Sequence, residues 1–375
     1  MKFSVQREII HQAVNAVQRA TATRVIQPIL SNILVESVED NTLRLSATDM
    51  DFAIETTVPA TILVSGQITL SAKKLSEILN KLPNGVPVTV DANLTTQTAH
   101  LECGNSVFDM RTLPAEEFPA IKQIDQPGNT LTVSFNALQR AINQTVFAAA
   151  SYDANNVLGG VFFRLSKDGL EMAATDGSRL ARRQEPIVGE GGPEGEVSAI
   201  IPAKTLQEFL KLNPAGPDET VKLAIQDGQI AFRTQRYYVL SRLLDGQYPK
   251  YNQLIPLENK LVAHAKRQTF IESLERAAVM ANERTNIVKL AFENGHLSLA
   301  ANTPDVGDAK DTMAVLYDGT EPLNIAFNYK YVLDALRVIE SDDVRMETNG
   351  ALAPTLFKGD KDDEYLCLVM PVQVK

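Results

Sequence analysis

Three copies of one pattern, spaced 127 residues apart, restrict the folds open to this 375-residue chain more than any other feature. Ala-Thr-Asp ends an apolar run at residues 47–49 and again at 174–176, and the third copy, at 301–303, reads Ala-Asn-Thr. A fixed period of this kind indicates that one structural unit recurs along the chain. We therefore expect three similar units in tandem.

Each copy predicts a β-hairpin. Two runs of alternating apolar residues flank a turn signal of Asp, Asn or Gly, which is typical of two antiparallel strands. The paired runs are 30–37 with 40–49, 157–165 with 167–176, and 285–293 with 293–302.

Each copy also predicts two amphipathic helices. Their apolar residues recur every three or four positions, which places them on one helix face. The six segments are 4–20, 71–82, 134–150, 202–213, 265–282 and 328–340. Strands that are grouped in antiparallel runs, instead of alternating with helices as in βαβ units, predict an α+β fold.

Connections rich in Pro, Gly and Asp separate the copies at 118–129 and 248–259. They predict three domains, at residues 1–124, 129–254 and 259–375. The chain is long enough for each domain to bury a core of its own.

The repeated aspartates, Asp49 and Asp176, predict turn caps rather than a catalytic pair. The third copy has Asn302-Thr303 where the other two have Thr-Asp, and Asn can cap a turn but cannot act as a general acid or base. Four scattered histidines form no metal-binding motif, and no phosphate-binding loop or nucleophile elbow occurs. We expect no catalytic residues, no cofactor and no metal.

Compartment and charge give two further expectations. No apolar run is long enough to span a membrane, no signal peptide is present, and Cys103 and Cys367 stand alone. These features predict a cytoplasmic protein without disulfides.

The six helical segments carry a net charge of +6, which leaves −16 for the rest of a chain whose total is −10. Helices that face one way would form a basic surface, which attracts phosphate locally despite the overall charge.

Together with the repeats, several motifs of the chain resemble those of a known family, the bacterial DNA sliding clamp, which is the β subunit of the DNA polymerase III holoenzyme. The resemblance spans residues 1 to 375 and rests on motifs in the family's order. They are MKFSVQREII at the start, PILSNILVE at 28–36, TLPAEEFP at 112–119, ATDGSRLA at 174–181, LLDGQYPKY at 243–251, FNYKYVLDAL at 327–336 and VMPVQVK at 369–375.

The resemblance implies a head-to-tail homodimer whose six domains close into a ring, with helices inside and sheets outside. Such a ring encircles double-stranded DNA without reading its sequence and does no chemistry itself. It tethers the DNA polymerase III catalytic subunit and thereby raises processivity. The clamp loader and other clamp-binding replication and repair proteins are the further partners that the resemblance implies, and a membrane is not among them.

The resemblance also implies three sets of site residues. DNA contacts correspond to Arg24, Lys73, Lys204 and Tyr152. The partner-peptide pocket corresponds to Leu158, Thr175, Gly177, Arg179, Leu180, Pro249, Leu254, Asn328, Tyr331, Val369, Met370, Pro371 and Val372. The apolar part of the dimer interface corresponds to Phe108, Met110, Val279 and Met280. Members often end in M-P-M-R-L, whereas this chain ends in M-P-V-Q-V-K, which predicts an altered peptide preference.

Two other functions remain open from the sequence. A hydrolase could use Asp49 and Asp176 as a carboxylate pair, which requires a separation below about 10 Å. A protein-only scaffold without DNA at its centre is the other alternative, and the basic helices weigh against it.

Overall fold

Each α-helix that the structure describes begins where a strand ends. The structure is a computed structural model that describes residues 1–22, 27–39, 41–124, 130–151, 157–166, 169–186, 195–304 and 306–374. The helices are α1 (Arg7–Val17), α2 (Ala72–Lys81), α3 (Phe135–Asn143), α4 (Ala203–Phe209), α5 (Arg267–Ala278) and α6 (Tyr329–Val338). All six predicted helices are therefore present.

The strands outnumber those predicted. Strands β1 to β13 are Lys2–Gln6, Asn32–Val38, Thr42–Thr48, Phe52–Pro59, Thr61–Val64, Gln67–Ser71, Pro87–Asn93, Thr98–Cys103, Ser106–Arg111, Thr130–Ser134, Gly160–Ser166, Gly169–Thr175 and Arg179–Glu185. Strands β14 to β26 are Val197–Pro202, Thr220–Gln226, Gln229–Arg233, Tyr237–Arg242, Leu261–Lys266, Ile287–Glu293, His296–Thr303, Gly307–Ala314, Leu316–Tyr317, Leu323–Asn328, Asp343–Thr348, Thr355–Gly359 and Tyr365–Val369.

The predicted helix starts at residues 4 and 265 are wrong, because these residues lie in β1 and β18 and the helices begin at Arg7 and Arg267. The starts predicted at 71, 134, 202 and 328 are each one residue early, because these residues end β6, β10, β14 and β23. In β1, Phe3 and Val5 are buried while their neighbours are partly exposed, so the strand buries one face. The helix begins only at Arg7, and α1 then buries Ile10, Val14 and Val17 at intervals of four and three residues. Burial of such side chains contributes about 1.5–3 kcal/mol each.

Contacts within the chain form two compact units. Unit 1 contains Met1–Asn136 and Lys204–Leu243, and unit 2 contains Ala137–Ile187, Gly195–Ala203 and Leu244–Lys375. Unit 1 holds a five-stranded sheet (β5-β1-β7-β8-β9) and an eight-stranded sheet (β10-β15-β16-β17-β4-β3-β2-β6). Unit 2 holds a nine-stranded sheet (β14-β11-β12-β13-β26-β25-β24-β18-β22) and a four-stranded sheet (β21-β20-β19-β23).

The three predicted hairpins are confirmed as antiparallel pairs. Leu45 lies opposite Val35 in β2–β3, Met172 opposite Phe163 in β11–β12, and β19 pairs with β20 in the same manner. The three predicted domains stay a prediction, because in two sheets strands from different predicted domains pair with each other. Strand β4 pairs with β17 in unit 1, and β13 pairs with β26 in unit 2.

Candidate functional site

The repeated aspartates cap turns, as the sequence predicts. Asp49 Oδ1 accepts a hydrogen bond from the backbone N–H of Phe52 at 2.8 Å. Asp176 Oδ1 accepts two, from Ser178 at 2.9 Å and Arg179 at 3.1 Å. Each carboxylate is therefore used to hold the strand-to-strand connection that follows it.

The predicted DNA-contacting residues fall in different situations. Lys204 lies at the start of α4 and pairs with Asp49 at 3.1 Å, with about half of its side chain exposed. Lys73 is exposed on α2. Arg24 and Tyr152 lie outside the described residues.

Several basic side chains on the helices, or just after them, pair with carboxylates close by. Lys211 bonds Glu208 at 2.7 Å, and Arg337 bonds Glu275 at 2.7 Å. The Arg337–Glu275 pair is exposed on both sides. Such a pair contributes about 0–1 kcal/mol, so a phosphate group can displace the carboxylate. Arg140 on α3 is different, because its partner Glu185 is buried. Arg140 therefore stabilises the fold and does not contribute to a basic surface.

The residues predicted for the partner-peptide pocket come together in unit 2. Strand pairing places Leu180 opposite Leu368 and Arg179 opposite Val369. The backbone N–H of Met370 donates to the Ser178 carbonyl at 2.9 Å, which continues the pairing beyond β26.

The pocket has a buried floor and an exposed rim. Leu180 and Val369 are only 1% and 0% exposed, so they support the surface instead of contacting a partner. Leu158 packs against the same cluster from the segment before β11. Met370 and Leu254 are 40% and 57% exposed. These two side chains are the apolar groups that a partner can cover.

The chain end runs along a second sheet edge. The backbone N–H of Val372 donates to the Ala326 carbonyl at 2.7 Å, which joins the tail to β23. Asn328 ends that strand and caps α6, since its side chain accepts from the Lys330 N–H at 3.1 Å. The tail and the first turn of α6, including Tyr331, therefore lie on one side of unit 2.

Arg179 acts as a brace. Its guanidinium donates to Asp176 at 3.1 Å, to Asp334 at 2.6 Å and to the Phe147 carbonyl at 2.6 Å. It also stacks over the Tyr331 ring, 4.5 Å from the centroid. The side chain is 11% exposed and holds β13, α6 and the segment after α3 together. It thereby fixes the shape of the pocket and offers little free charge to a ligand.

Two tyrosines of the YPKY motif form part of the apolar floor, a role that the sequence analysis did not assign. The Tyr248 hydroxyl oxygen accepts a hydrogen bond from the Thr175 N–H at 3.1 Å, and the Tyr248 ring stacks on Phe162 with the ring centroids 5.5 Å apart. Burial raises the pKa of Tyr248 to about 12. The Tyr251 hydroxyl donates a hydrogen bond to Glu171. Burial is the larger cause, and this hydrogen bond the second, of a Tyr251 pKa that lies well above its usual value. Both hydroxyls stay protonated at neutral pH.

The residues predicted for the dimer interface lie at sheet edges or beside them. Strand β9 is an edge of the five-stranded sheet, where Phe108 is half-buried and Met110 is 8% exposed. Val107, which the sequence analysis did not select, is 54% exposed on the same strand. In unit 2, Val279 follows α5 and is 77% exposed, and the Met280 carbonyl accepts from Thr303 at 2.8 Å.

Edge strand β9 also carries an ion-pair cluster that the sequence analysis missed. His100 on β8 contacts Asp109 at 2.8 Å and Glu102 at 2.9 Å. These hydrogen bonds, with Asp109 first, raise the pKa of the His100 imidazole. The cluster places a histidine that is readily protonated beside an unpaired strand edge.

The described residues offer no candidate metal site and no membrane-spanning helix. No group of three or more His, Cys, Asp and Glu side chains in these residues could hold a metal ion. No helix in the described ranges is long and apolar enough to cross a membrane.

Comparison with known proteins covers the whole chain. Residues 1–122, 132–250 and 252–373 match the N-terminal, central and C-terminal domain models of the DNA polymerase III beta subunit. The beta sliding clamps of Synechococcus elongatus and Bacillus subtilis are 33% and 30% identical to this chain, with both chains covered completely.

Solved structures agree with this match. A Pseudomonas aeruginosa sliding clamp bound to griselimycin superposes with a TM-score of 0.92 at 30% identity, and a Bacillus subtilis DNA polymerase sliding clamp with 0.91 at 30%. Both alignments cover 100% of each chain.

Proposed function

The chain belongs to the DNA polymerase III beta subunit family, the bacterial sliding clamps, and on this basis we propose that two copies close head to tail into a ring around duplex DNA. The full-length match of three consecutive clamp domain models carries the assignment. The protein is a DNA polymerase sliding clamp that confers processivity. Its partners are DNA, the polymerase and a second copy of the chain.

Edge strands support the proposed closure. Strand β9 of unit 1 and strand β21 of unit 2 each have a single strand neighbour in the described chain. Unpaired edges are templates for pairing with another chain. We propose that Phe108 and Met110 of one copy approach Val279 and Met280 of the other, with Val107 added to this apolar surface.

A ring retains DNA by topology, so tight phosphate contacts are unnecessary. Affinity for phosphate falls steeply with salt in proportion to the number of contacts. We propose that Arg24, Lys73, Lys204 and Tyr152 face the DNA as a small set of contacts. The exposed ion pairs of the helices agree with a surface that is weakly basic.

Retention on circular DNA tests the function directly. The protein, assembled on a nicked circle by a clamp loader, is expected to stay bound through gel filtration and to be lost when the circle is cut. Retention on the linear product would exclude a topological link. Failure to load on any circle would favour the protein-only scaffold.

The DNA contacts give a separate prediction. Replacing Arg24, Lys73 and Lys204 together by alanine is expected to weaken binding to duplex DNA by at least about tenfold at low salt, since up to three phosphate contacts are lost. Fluorescence anisotropy of a labelled duplex measures this change. Thermal unfolding should change little, because Lys73 and Lys204 are exposed and exposed charges add little stability. Unaltered DNA binding would contradict the assignment of these residues.

We further propose that unit 2 binds short extended peptides of the polymerase catalytic subunit, the clamp loader and other clamp-binding proteins. The exposed Leu254 and Met370 provide the apolar contact, and Arg179 keeps the surrounding wall in place. Apolar anchors of this kind usually carry most of the affinity at an interface. Methionine adapts to anchors of different shape.

The Met370→Ala variant tests the pocket. It is expected to weaken a peptide from the polymerase by about tenfold or more, because a half-exposed anchor is lost at the centre of the contact. Calorimetric titration measures the affinity. Leu94→Ala, at another exposed apolar residue, serves as the matched control and should bind as well as the unaltered protein. Equal affinity of Met370→Ala would remove the tail from the site.

Three finer statements complete the proposal. The protein does no chemistry of its own, and Asp49 and Asp176 act as turn caps rather than as a hydrolytic pair. The three clamp domains occupy residues 1–124, 129–254 and 259–375. The ring works in the cytoplasm, where the bacterial chromosome lies.

A further inference from the structure

Unit 1 contains a cavity that no part of the proposed function uses. Its volume is about 200 Å³. Phe52, Ala53 and Leu240 are buried at its base, and Met50 and Arg242 are exposed at its mouth. The cavity is smaller than the roughly 300–1,000 Å³ of sites for drug-sized ligands, so it suits a single side chain.

The cavity is built by the same backbone arrangement as the peptide pocket of unit 2. The Thr48 hydroxyl accepts from the Met50 N–H at 3.0 Å, as the Thr175 hydroxyl accepts from Gly177 at 3.1 Å. The Arg242 N–H donates to the Asp51 carbonyl at 2.8 Å, and the Met370 N–H donates to Ser178 at 2.9 Å. Arg242 therefore occupies in unit 1 the position that Met370 has in unit 2.

The connecting segments repeat as well. Phe118-Pro119 in unit 1 corresponds to Tyr248-Pro249 in unit 2. A further apolar or aromatic residue, Ile121 or Tyr251, lies three positions after the aromatic residue of each pair. Phe118 is buried in a cluster with Leu30 and Leu34, and Ile121 packs against that cluster. Both pockets thus have a turn, a strand end and an apolar connecting segment as walls.

Met50 has an unusual backbone conformation at the mouth. Its φ of 80° lies in the left-handed region, where unit 2 has Gly177 at 89°. A residue with a side chain is strained there by about 1–3 kcal/mol, and such strain clusters at binding sites. The side chain is 57% exposed and is a flexible apolar group. Glycine would remove the strain, so the methionine is suited to contacting something at the cavity mouth.

Charge distinguishes this cavity from the pocket in unit 2. Its charged lining consists of Lys122, Asp51 and Arg242, and Lys122 is paired with Asp227 at 2.6 Å, so the charged group that a ligand can reach is the Arg242–Asp51 pair. The Arg242–Asp51 pair measures 3.3 Å, with the two side chains 68% and 73% exposed. Such an exposed pair is weak, so a ligand carboxylate can replace Asp51 at the guanidinium.

We propose that this cavity is a second peptide-binding site, which takes an extended segment of another protein with an aliphatic anchor next to a carboxylate. The anchor enters between Ala53, Leu240 and Ile121, Met50 covers it, and the carboxylate pairs with Arg242. The apolar cavity and the weakly paired Arg242 guanidinium are complementary to these two groups. The site is separate from the pocket in unit 2, and the inference does not depend on what that pocket binds.

Photo-crosslinking tests the proposal in the full-length protein. The probes are a blocked tetrapeptide, serine-aspartate-leucine-serine with a diazirine on leucine, and its analogue with lysine in place of aspartate. Both are used on the Met370→Ala protein, which weakens the pocket of unit 2. The aspartate probe is expected to label residues 48–53 and 119–122 about tenfold more than the lysine probe, because only its carboxylate pairs with Arg242.

Two variants decide the outcome. Arg242→Glu is expected to reverse the preference between the probes, while Arg236→Glu, an exposed arginine outside the cavity lining, should preserve it. Met50→Gly keeps the turn and should change the labelling yield at least about threefold, since the covering side chain is lost.

Three outcomes would overturn the proposal: equal labelling by both probes, labelling that Arg242→Glu leaves unchanged, or labelling confined to residues 369–374. Protection of the cavity that increases with protein concentration would instead indicate a second copy of the chain and overturn it too. Retention on nicked circles is measured with Arg242→Glu and Met50→Gly in the protein that keeps Met370, where it should stay intact, which separates this inference from the clamp function.

Discussion

Val279→Asp is expected to convert the dimeric ring into folded monomers. Val279 is 77% exposed in the single chain, so the charge costs the monomer little. At the proposed interface the same carboxylate would be buried against apolar side chains without a partner. Burying an unpaired charge costs several kcal/mol, and each 1.4 kcal/mol raises the dissociation constant about tenfold.

Light scattering measures the outcome. The unaltered protein should give about 82 kDa, twice the 41.1 kDa of one chain, and Val279→Asp should give the single-chain mass. Leu257→Asp is the matched control, because Leu257 is fully exposed and lies outside the proposed interface. A Val279→Asp protein that remains dimeric at sub-micromolar concentration would show that the interface is elsewhere.

Met110 is a poor position for the same test. It is 8% exposed within its own chain, so a charge there would disturb the core of unit 1 before it reached any interface. Met280 is half-buried, so its exposure lies between that of Met110 and that of Val279. The exposed valine therefore separates loss of the dimer from loss of the fold.

Glu185→Ala is expected to lower the free energy of unfolding by about 3–5 kcal/mol, the usual effect of removing one partner of a buried ion pair. Glu185 is 3% exposed at its side chain and accepts from Arg140 at 2.7 and 2.8 Å and from Arg183 at 2.8 Å. Arg183 also pairs with Asp362 at 2.8 Å. The substitution would leave Arg140 and Arg183 near each other without the carboxylate that joins them.

Urea unfolding followed by circular dichroism measures the change. Glu196→Ala is the control, because Glu196 is 58% exposed and lies 3.6 Å from Arg164. Its removal should change stability by less than about 1 kcal/mol. An equally small effect of Glu185→Ala would mean that water or nearby groups compensate for the lost charge.

Local periodicity predicted the helices and hairpins well. A helix face with Ile10, Val14 and Val17 is visible in the sequence because its period is set by the helix itself. The same holds for Leu45 opposite Val35, where a short turn determines the partner strand. The caps by Asp49 and Asp176 were also predictable, because they involve neighbours within three residues.

Short strands before the helices were harder to identify. Phe3 and Val5 alternate over only five residues, and the apolar spacing of the following helix overlaps this run. Two alternating positions do not distinguish a strand from the first turn of a helix. The boundary became clear only because β1 pairs with β7 and β5.

The tertiary structure alone determined the sites. Pairing of Ala53 with Leu240, and of Leu180 with Leu368, joins segments nearly 190 residues apart. Periodicity reports which face of a strand is buried, but it carries no information on which distant strand lies beside it. The sequence by itself thus determined three repeats, their helices and their turns. The bracing by Arg179, the burial of Glu185 and the second cavity depend on long-range contacts, whose free energy exists only when the sheets are assembled.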